Sequence, residues 1–203
     1  EPAVPTGSFY FAGHLLIGAP NLKKALHLGI GYYQHISNAY DLKLVEDGDI
    51  VRLEAKIIKP ELDPDHLLAE FILTGWHRTA CWLISKNIIL KEVNFNYAPP
   101  EHESEYRYLF PCPRNYDQPC LSLSFSAEYL SLPITQNSST LVDYIRKSPD
   151  NILLNPVEDD SYSTKIRLEI EACENNSFPT FEVIAEKFFM TPKTLRKKLK
   201  SEG

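Results

Sequence analysis

Apolar residues recur at helical spacing in two long segments of the chain. In residues 21–37 they return every three or four positions after Pro20, which predicts a helix. Residues 65–85 repeat this spacing after Pro64 and predict a second, longer helix. Each of these helices has one apolar stripe, so each must pack that face against another part of the protein.

Between the two helices the pattern changes to alternation of apolar and charged residues. Residues 50–58 show this period of two, which is typical of a half-buried strand. Another apolar run, over residues 42–46, precedes it, and Asp47-Gly48 separates the two runs. Asp-Gly between two such runs is a strong hairpin signal, so we expect a β-hairpin that turns there.

The patterns in the rest of the chain are shorter. They predict a strand over 90–97 with Val93, Phe95 and Tyr97 on one face, a short helix over 101–110, a strand over 121–125, a helix over 138–148, a loop over 149–160 and a helix over 161–175. Helices that lie between a hairpin and single strands, without βαβ repetition, favour an α+β fold. We therefore expect a small antiparallel or mixed sheet with packed helices.

Residues 180–201 predict two short helices joined by a tight turn. Thr191 is a good N-cap for the second helix, and Pro192 fits its first position. A small Ala185 lies where the helices would touch, and Leu195 would be buried between them. This all-α segment is typical of a helix-turn-helix. Its second helix would present five residues to a DNA major groove: Lys193, Thr194, Arg196, Lys197 and Lys200.

Composition fits a globular protein with a sizeable core. The 203 residues are 43% apolar and 24% charged, which disfavours disorder. No apolar run approaches the roughly 18 to 20 residues that cross a bilayer, and there is no signal-peptide pattern. We expect a cytoplasmic protein without a membrane partner. The first residue is Glu1 and the chain stops at Gly203, directly after a helical run, so both ends look like the boundaries of a fragment.

Charge is divided unevenly along the chain. In total there are 21 basic and 27 acidic residues, a net charge of −6. Residues 187–200 hold six basic residues and no acidic one, which leaves 15 basic against 27 acidic elsewhere. An acidic body is repelled by phosphate backbones and the basic segment is attracted to them. A basic helix is nevertheless a solvated face more often than a nucleic-acid site, so charge alone does not decide between these interpretations.

Signals for catalysis and for metal binding are weak. The four cysteines form no C-x-x-C pair, so we expect reduced thiols, no bound metal and no cofactor. His102 and the carboxylates of Glu103 and Glu105 are the best acid–base candidates, yet they lie in a short charged segment typical of solvated surface. No phosphate-binding or nucleophile-elbow motif occurs. A small hydrolytic enzyme is thus a remote alternative, and we expect no catalytic residues.

The C-terminal sequence is similar to a known DNA-binding motif. The first helix-turn-helix of AraC/XylS-type bacterial transcription regulators resembles FPTFEVIAEKFFMTPKTLRKKLKSEG, with its small residue, Thr-Pro turn and T-L-R-basic-basic-L run. The upstream chain resembles the "arabinose-binding-like" effector domain of one branch of that family. Its matching stretches are APNLKKALHLGIGYY, GWHRTACWLISKNI, PPEHESEYRYLFPCP and LSFSAEYLSLPI.

This resemblance implies a division into domains and a function. Residues 1–160 would be the effector-binding domain with a shortened N-terminus, 161–177 a linker helix, and 178–203 the first helix-turn-helix, with the family's second one missing. The resemblance implies promoter DNA and a small-molecule effector as partners, and a homodimer is an option. By the family pattern Lys193, Arg196 and Lys197 would read bases and Lys200 would lie nearer the backbone.

The effector itself is not readable from the sequence. Candidate ligand residues are polar and aromatic side chains on core elements: Tyr33, His35, Trp76, Arg78 and Tyr97, with His77 and Trp82 considered beside them. A buried Arg78 needs an anionic partner, which would be either a ligand or a carboxylate of Glu101, Glu103 or Glu105. The family label names arabinose but is inherited by homology. A domain that only dimerises, without a ligand, is the alternative.

Overall fold

A computed structural model describes residues 5, 7–148, 162, 163, 166, 170 and 179–202 of the chain. Contacts divide the chain into two compact units, residues 1–157 and 158–203. The loop predicted over 149–160, most of the helix predicted over 161–175 and the predicted domain limits at 160 and 177 lie outside the described residues.

In the described part of the first unit, five strands form one mixed sheet. The strands are β1 (Tyr40–Asp47), β2 (Ile50–Ile57), β3 (Leu90–Asn94), β4 (Arg114–Asn115) and β5 (Leu121–Ser126). Their order is β1-β2-β5-β3-β4, so β1 and β4 lie at the outer edges. Neighbouring strands run antiparallel except β3 and β4, which are parallel. The expected α+β architecture with a small mixed sheet is confirmed.

The predicted hairpin is present, with its turn one residue later than expected. Asp47 pairs with Ile50, so the connecting residues are Gly48 and Asp49. Gly48 has a positive φ of 59°, which glycine adopts without the steric cost that a side chain would bring. The predicted turn at Asp47-Gly48 is corrected accordingly.

The described part of this unit also contains five α-helices. They are α1 (Ser8–Ile17), α2 (Leu22–Ile36), α3 (Leu67–Ile84), α4 (Tyr106–Leu109) and α5 (Ser138–Arg146). The helices predicted over 21–37 and 65–85 are confirmed as α2 and α3. The helix predicted over 101–110 is shorter, a 3₁₀ turn at Glu103–Glu105 followed by α4. Helix α1 was not predicted, because it is apolar on nearly all sides and shows no clear period.

The core lies between the sheet and helices α2 and α3. Leu22 and Leu73 from the helices are fully buried, as are Val51 and Leu123 from the central strands. The Asp63 carboxylate accepts hydrogen bonds from the first free N–H groups of α3, those of Leu68 at 2.9 Å and Ala69 at 3.1 Å. These bonds fix the start of α3, whose following turns then pack onto the sheet and carry side chains into the site.

In the second unit residues 179–202 contain two helices, α6 (Phe181–Lys187) and α7 (Pro192–Glu202). The Thr191 hydroxyl accepts the N–H of Thr194 at 3.2 Å and caps α7, as predicted. Ile184, Ala185 and Leu195 form a small buried cluster between the helices. Phe189 in the connection has a positive φ of 53°. In the described part of the chain, every helix is too short or too polar to cross a bilayer.

Candidate functional site

An open cavity of about 500 Å³ lies in the first unit beside helices α1, α2 and α3. Cavities of this size hold small organic ligands. Fourteen of the described residues line it: Phe9, Ala12, Leu16, Tyr33, Ser37, Ala39, Tyr40, Leu68, Phe71, Ile72, Gly75, Trp76, Thr79 and Ser148. Below, this cavity is called the pocket.

Helical periodicity brings these residues to one place. Helix α1 contributes Phe9, Ala12 and Leu16, which are three or four residues apart and therefore share a face. Helix α3 contributes a face of the same spacing, in which Gly75 takes the place of a side chain. The end of α2 and the segment that leads into β1 supply the remaining wall. The pocket thus exists where three elements meet and where small residues leave space.

Three aromatic rings form a continuous cluster in the pocket wall. The ring centroid of Tyr33 lies 5.9 Å from that of Trp76, with an edge-on angle of 72°, and 6.2 Å from that of Tyr40. Burial raises the pKa of Tyr33 well above its ordinary value and raises the pKa of Tyr40 to about 12, against a smaller lowering by a hydrogen bond from Trp76. Both phenols therefore stay neutral at physiological pH and can donate or accept hydrogen bonds.

The polar groups of the pocket are all uncharged. Besides the two tyrosines they are the indole N–H of Trp76 and the hydroxyls of Ser37, Thr79 and Ser148. Ser37 Oγ accepts the N–H of Ala39 at 3.2 Å, and Thr79 Oγ1 shares a hydrogen bond of 3.2 Å with the hydroxyl of Tyr144. Ser148 Oγ is buried and has no hydrogen-bond partner among the described residues. A buried hydroxyl in this state is a ready partner for a ligand atom.

Two of the five residues predicted to bind a ligand, Tyr33 and Trp76, line the pocket. The other three do not. His35 is exposed at the end of α2, where its Nδ1 lies 2.6 Å from the carbonyl oxygen of Gly31. Tyr97 is buried beside β3 and hydrogen-bonds the hydroxyl of Tyr106 at 3.1 Å. As ligand contacts, all five stay predictions.

The salt bridge expected for Arg78 is absent from the described residues. Arg78 is buried, its Nε has no hydrogen-bond partner there, and Glu103 instead pairs with Arg114 at 3.1 Å. Glu101, Glu103 and Glu105 belong to a segment that meets α3 near Glu70. In this contact His102 Nε2 lies 3.3 Å from the carboxylate of Glu70. Arg78 follows Glu70 by two helical turns, about 12 Å along α3, so these carboxylates do not reach it. Burial lowers the pKa of Arg78.

His77 and Trp82, the other candidates on α3, make structural contacts. The His77 ring donates from Nε2 to the carbonyl of Ile88 at 2.8 Å, and burial lowers its pKa to about 4, so it is neutral at pH 7. Trp82 stacks on Tyr144 with ring centroids 4.2 Å apart. The sequence did not single out the pocket residues of α1 or Ala39, because small and apolar side chains carry no chemical signal of their own. Tyr40 was also missed, since it lies at the start of a strand outside the segments from which the candidates came.

In the second unit, α7 presents the predicted cationic surface. Lys193, Thr194, Arg196, Lys197 and Lys200 are all exposed, whereas Leu195 is fully buried against α6. The guanidinium carbon of Arg196 lies 5.2 Å from the ring centroid of Phe181, close enough for a cation–π contact. Lys198, which was not predicted to contact DNA, donates to the Tyr162 hydroxyl at 3.2 Å. The basic helix thus has a free cationic face and one lysine engaged by its own unit.

Three of the four cysteines lie in the described part of the chain. Cys112 and Cys120 are free thiols, the sulfur of Cys81 accepts the N–H of Ile88 at 3.2 Å, and Cys173 lies outside the described residues. Within the described residues, no group of three or more histidine, cysteine or carboxylate side chains is placed to hold a metal ion.

Comparison with known proteins shows the family. Residues 2–134 match the model of the arabinose-binding domain of AraC transcription regulators, N-terminal part. This match spans well over half of the chain, which therefore belongs to the AraC family of transcription regulators. The family thus agrees with the resemblance found in the sequence.

Two proteins of Pseudomonas aeruginosa are similar over almost the whole chain. The ornithine utilization regulator is 27% identical over 191 residues, which cover 94% of this chain and 56% of that protein. The crystal structure of transcriptional regulator CdpR shows 16% identity and a TM-score of 0.48, with 97% of this chain and 64% of that one covered. The chain thus spans only a little over half of the curated relative, and a structural likeness this distant establishes neither fold nor function.

Proposed function

We propose that this chain is the sensing and DNA-contacting part of a transcription regulator. A small-molecule effector binds in the pocket of the first unit, and α7 enters the major groove of promoter DNA. The observation that carries the proposal is the exposed cationic face of α7, which has no acidic residue from Thr191 to Lys200 and is fixed by the buried Leu195. Membership of the AraC family and the regulator name of the relative support it.

The α6–α7 pair has the features of a helix-turn-helix. Its helices are short, the connection between them is tight, and a small Ala185 allows close packing. In such motifs the second helix lies in the major groove, where lysine and arginine can bond guanine edges or phosphate oxygens. Lys193, Arg196 and Lys197 would contact bases, and Lys200 would contact the backbone. Thr194 lies on the same exposed helix.

Effector binding would act on DNA binding by linkage. A ligand that prefers one conformation of the protein shifts the population toward it, and the DNA affinity follows if the two conformations bind DNA differently. The size of the pocket, its aromatic wall with Tyr33 and Trp76, and the hydroxyl of Ser148, which has no partner among the described residues, support a ligand there.

The DNA-contacting role is tested with a matched pair of lysines. DNA fragments are enriched from a sheared genomic library with the full-length protein, and affinities for the best fragment are measured by gel shift at fixed salt. Lys197→Gln removes a cation from the free face, and Lys198→Gln removes one that contacts Tyr162. We expect Lys197→Gln to weaken binding by about 1 to 3 kcal/mol and Lys198→Gln to have a clearly smaller effect.

Equal affinities of the wild-type protein and Lys197→Gln would contradict the assignment of α7 as the recognition helix. Equal losses in both variants would indicate attraction by charge alone, since removal of either lysine lowers the net charge by one unit. A folding control by circular dichroism accompanies each variant, because Lys198 also contacts its own unit.

Self-association is a second candidate role and is favoured by helix α1. This helix exposes three large apolar side chains, of Tyr10, Phe11 and Leu15, and Phe11 is 64% exposed. Apolar side chains clustered on one surface are typical of protein interfaces. Sedimentation velocity of the full-length protein and of Phe11→Lys tests this role, since only a dimer held through α1 would dissociate on this change.

A further inference from the structure

We infer that the effector of this chain is an uncharged, largely apolar small molecule with one neutral hydrogen-bonding group. The inference rests on the effector pocket of the proposed function and adds the chemistry of its ligand. It follows from three properties of the pocket, namely its charge, the state of its hydroxyls and the nature of its walls.

The first property is the absence of charge among the described residues that line the pocket. Every one of these side chains is neutral, including Tyr33 and Tyr40, whose phenols stay protonated. An ammonium or carboxylate group that enters such a site loses its hydration without gaining a counter-charge, which costs several kcal/mol. A zwitterionic or dibasic ligand is therefore disfavoured.

The second property is the small number of free hydrogen-bonding groups. Thr79 already bonds Tyr144, and Ser37 already accepts the N–H of Ala39. Tyr40 is hydrogen-bonded to Trp76, so the phenol of Tyr33 and Ser148 Oγ remain as open partners among the described residues. A sugar carries a hydroxyl on almost every carbon and needs partners for most of them, so a pocket with few open partners binds it poorly. Ser148 Oγ, buried and unpaired among the described residues, matches a single polar group instead.

The third property is the apolar and aromatic lining. Phe9, Leu16, Phe71 and Ile72 add to the ring cluster of Tyr33, Tyr40 and Trp76. Phe71 is 46% exposed, and a ligand in the pocket would shield part of its ring from water. Burial of hydrocarbon against these walls would supply most of the binding free energy.

A fluorescent probe tests the inference directly. N-phenyl-1-naphthylamine, which is neutral, apolar and has a single N–H, is titrated into the full-length protein. Ala39 lines the pocket and its neighbour Asn38 is exposed outside it, so Ala39→Phe fills the pocket and Asn38→Phe is the matched control. We expect saturable binding that weakens at least about tenfold in Ala39→Phe and is unchanged in Asn38→Phe. 1-Decanol should displace the probe, and L-arabinose and L-lysine should not.

Several outcomes would overturn the inference. They are the lack of saturable probe binding, an equal loss in both phenylalanine variants, and displacement of the probe by L-arabinose or L-lysine. The gel shift with Lys197→Gln and Lys198→Gln keeps failure of the proposed function separate, since it needs no pocket ligand. If L-arabinose alters DNA affinity while the probe does not bind, the regulator role stands and the apolar effector is wrong.

Discussion

Helices α7 and α3 carry their candidate functions in opposite ways. On α7 the functional groups are exposed cations, and the buried Leu195, with the partly buried Leu199, packs the helix against its partner. On α3 most residues are buried, its charged Arg78 included, and its contribution to the pocket is a surface of apolar side chains around Gly75. The candidate DNA site consists of exposed charged side chains, whereas the pocket is a cavity left between side chains. Mutations are therefore expected to affect the two sites in different ways.

The largest effect is expected where a small buried cluster holds a helix. Leu195→Ala removes the largest side chain of full burial from a cluster in which the other buried members among the described residues are Ile184 and Ala185. We expect it to destabilise the α6–α7 pair by about 3 kcal/mol, the usual range for a buried leucine. Hydrogen exchange of the α6 and α7 amides measures the loss, and amides of the sheet serve as the internal control. Unchanged protection in α7 would show that other contacts fix it.

Smaller effects are expected for two glycines of helix α2, and these two effects should have opposite signs. A Cβ on Gly29 would lie 2.8 Å from the Trp76 ring and 2.9 Å from Leu16, whereas a Cβ on Gly31 would meet nothing within 4 Å. Gly29→Ala should therefore destabilise the first unit by about 1 to 2 kcal/mol through overpacking. Gly31→Ala should stabilise it by up to about 1 kcal/mol through helix propensity.

Chemical denaturation of the two glycine variants measures this difference. Because Gly29 contacts Trp76 and Leu16, both of which line the pocket, Gly29→Ala should also weaken probe binding there. If both alanines stabilise equally, the packing of Trp76 against α2 is looser than the structure shows.

The smallest effect is expected in the connection between α6 and α7. Phe189 is 98% exposed and has a positive φ of 53°, a conformation that costs a side-chain-bearing residue about 1 kcal/mol or more. Phe189→Gly relieves this strain, and part of the gain is lost to the greater freedom of glycine in the unfolded chain. We expect a net stabilisation of about 0.5 kcal/mol.

The control for this prediction is Phe189→Ala, which removes the ring but keeps the Cβ. Because the ring is almost fully exposed, this variant should melt like the wild type, and only Phe189→Gly should melt higher. A loss of stability in Phe189→Ala would instead indicate that the ring makes contacts of its own.

The sequence predicted those elements that have a clear period or a cap. Helices α2 and α3, the hairpin and the α6–α7 pair follow from apolar spacing, from the Gly48 turn and from the Thr191 cap. Helix α1 could not be predicted in this way, because it is apolar nearly all round and so has no single apolar stripe.

The candidate sites differ in the same respect. The cationic residues Lys193, Arg196 and Lys197 could be predicted from the sequence, because the charge of a side chain follows from its residue type. The pocket is defined by where Ala12, Ala39 and Gly75 fail to fill space between three elements, which only tertiary structure shows. For the same reason the sequence could not distinguish Tyr33, which lines the cavity, from Tyr97, which lies away from it.

The outer strand β1 also bears on behaviour at high concentration. Beyond its pairing with β2, its other backbone edge is a template on which a second molecule could add a strand. Asp41, Lys43 and Glu46 are exposed along it, Gln34 donates to the Leu42 carbonyl oxygen at 3.2 Å, and charged side chains on an edge strand disfavour pairing with another chain. Fibre growth by this route is therefore discouraged, and replacement of all three with threonine would remove that protection.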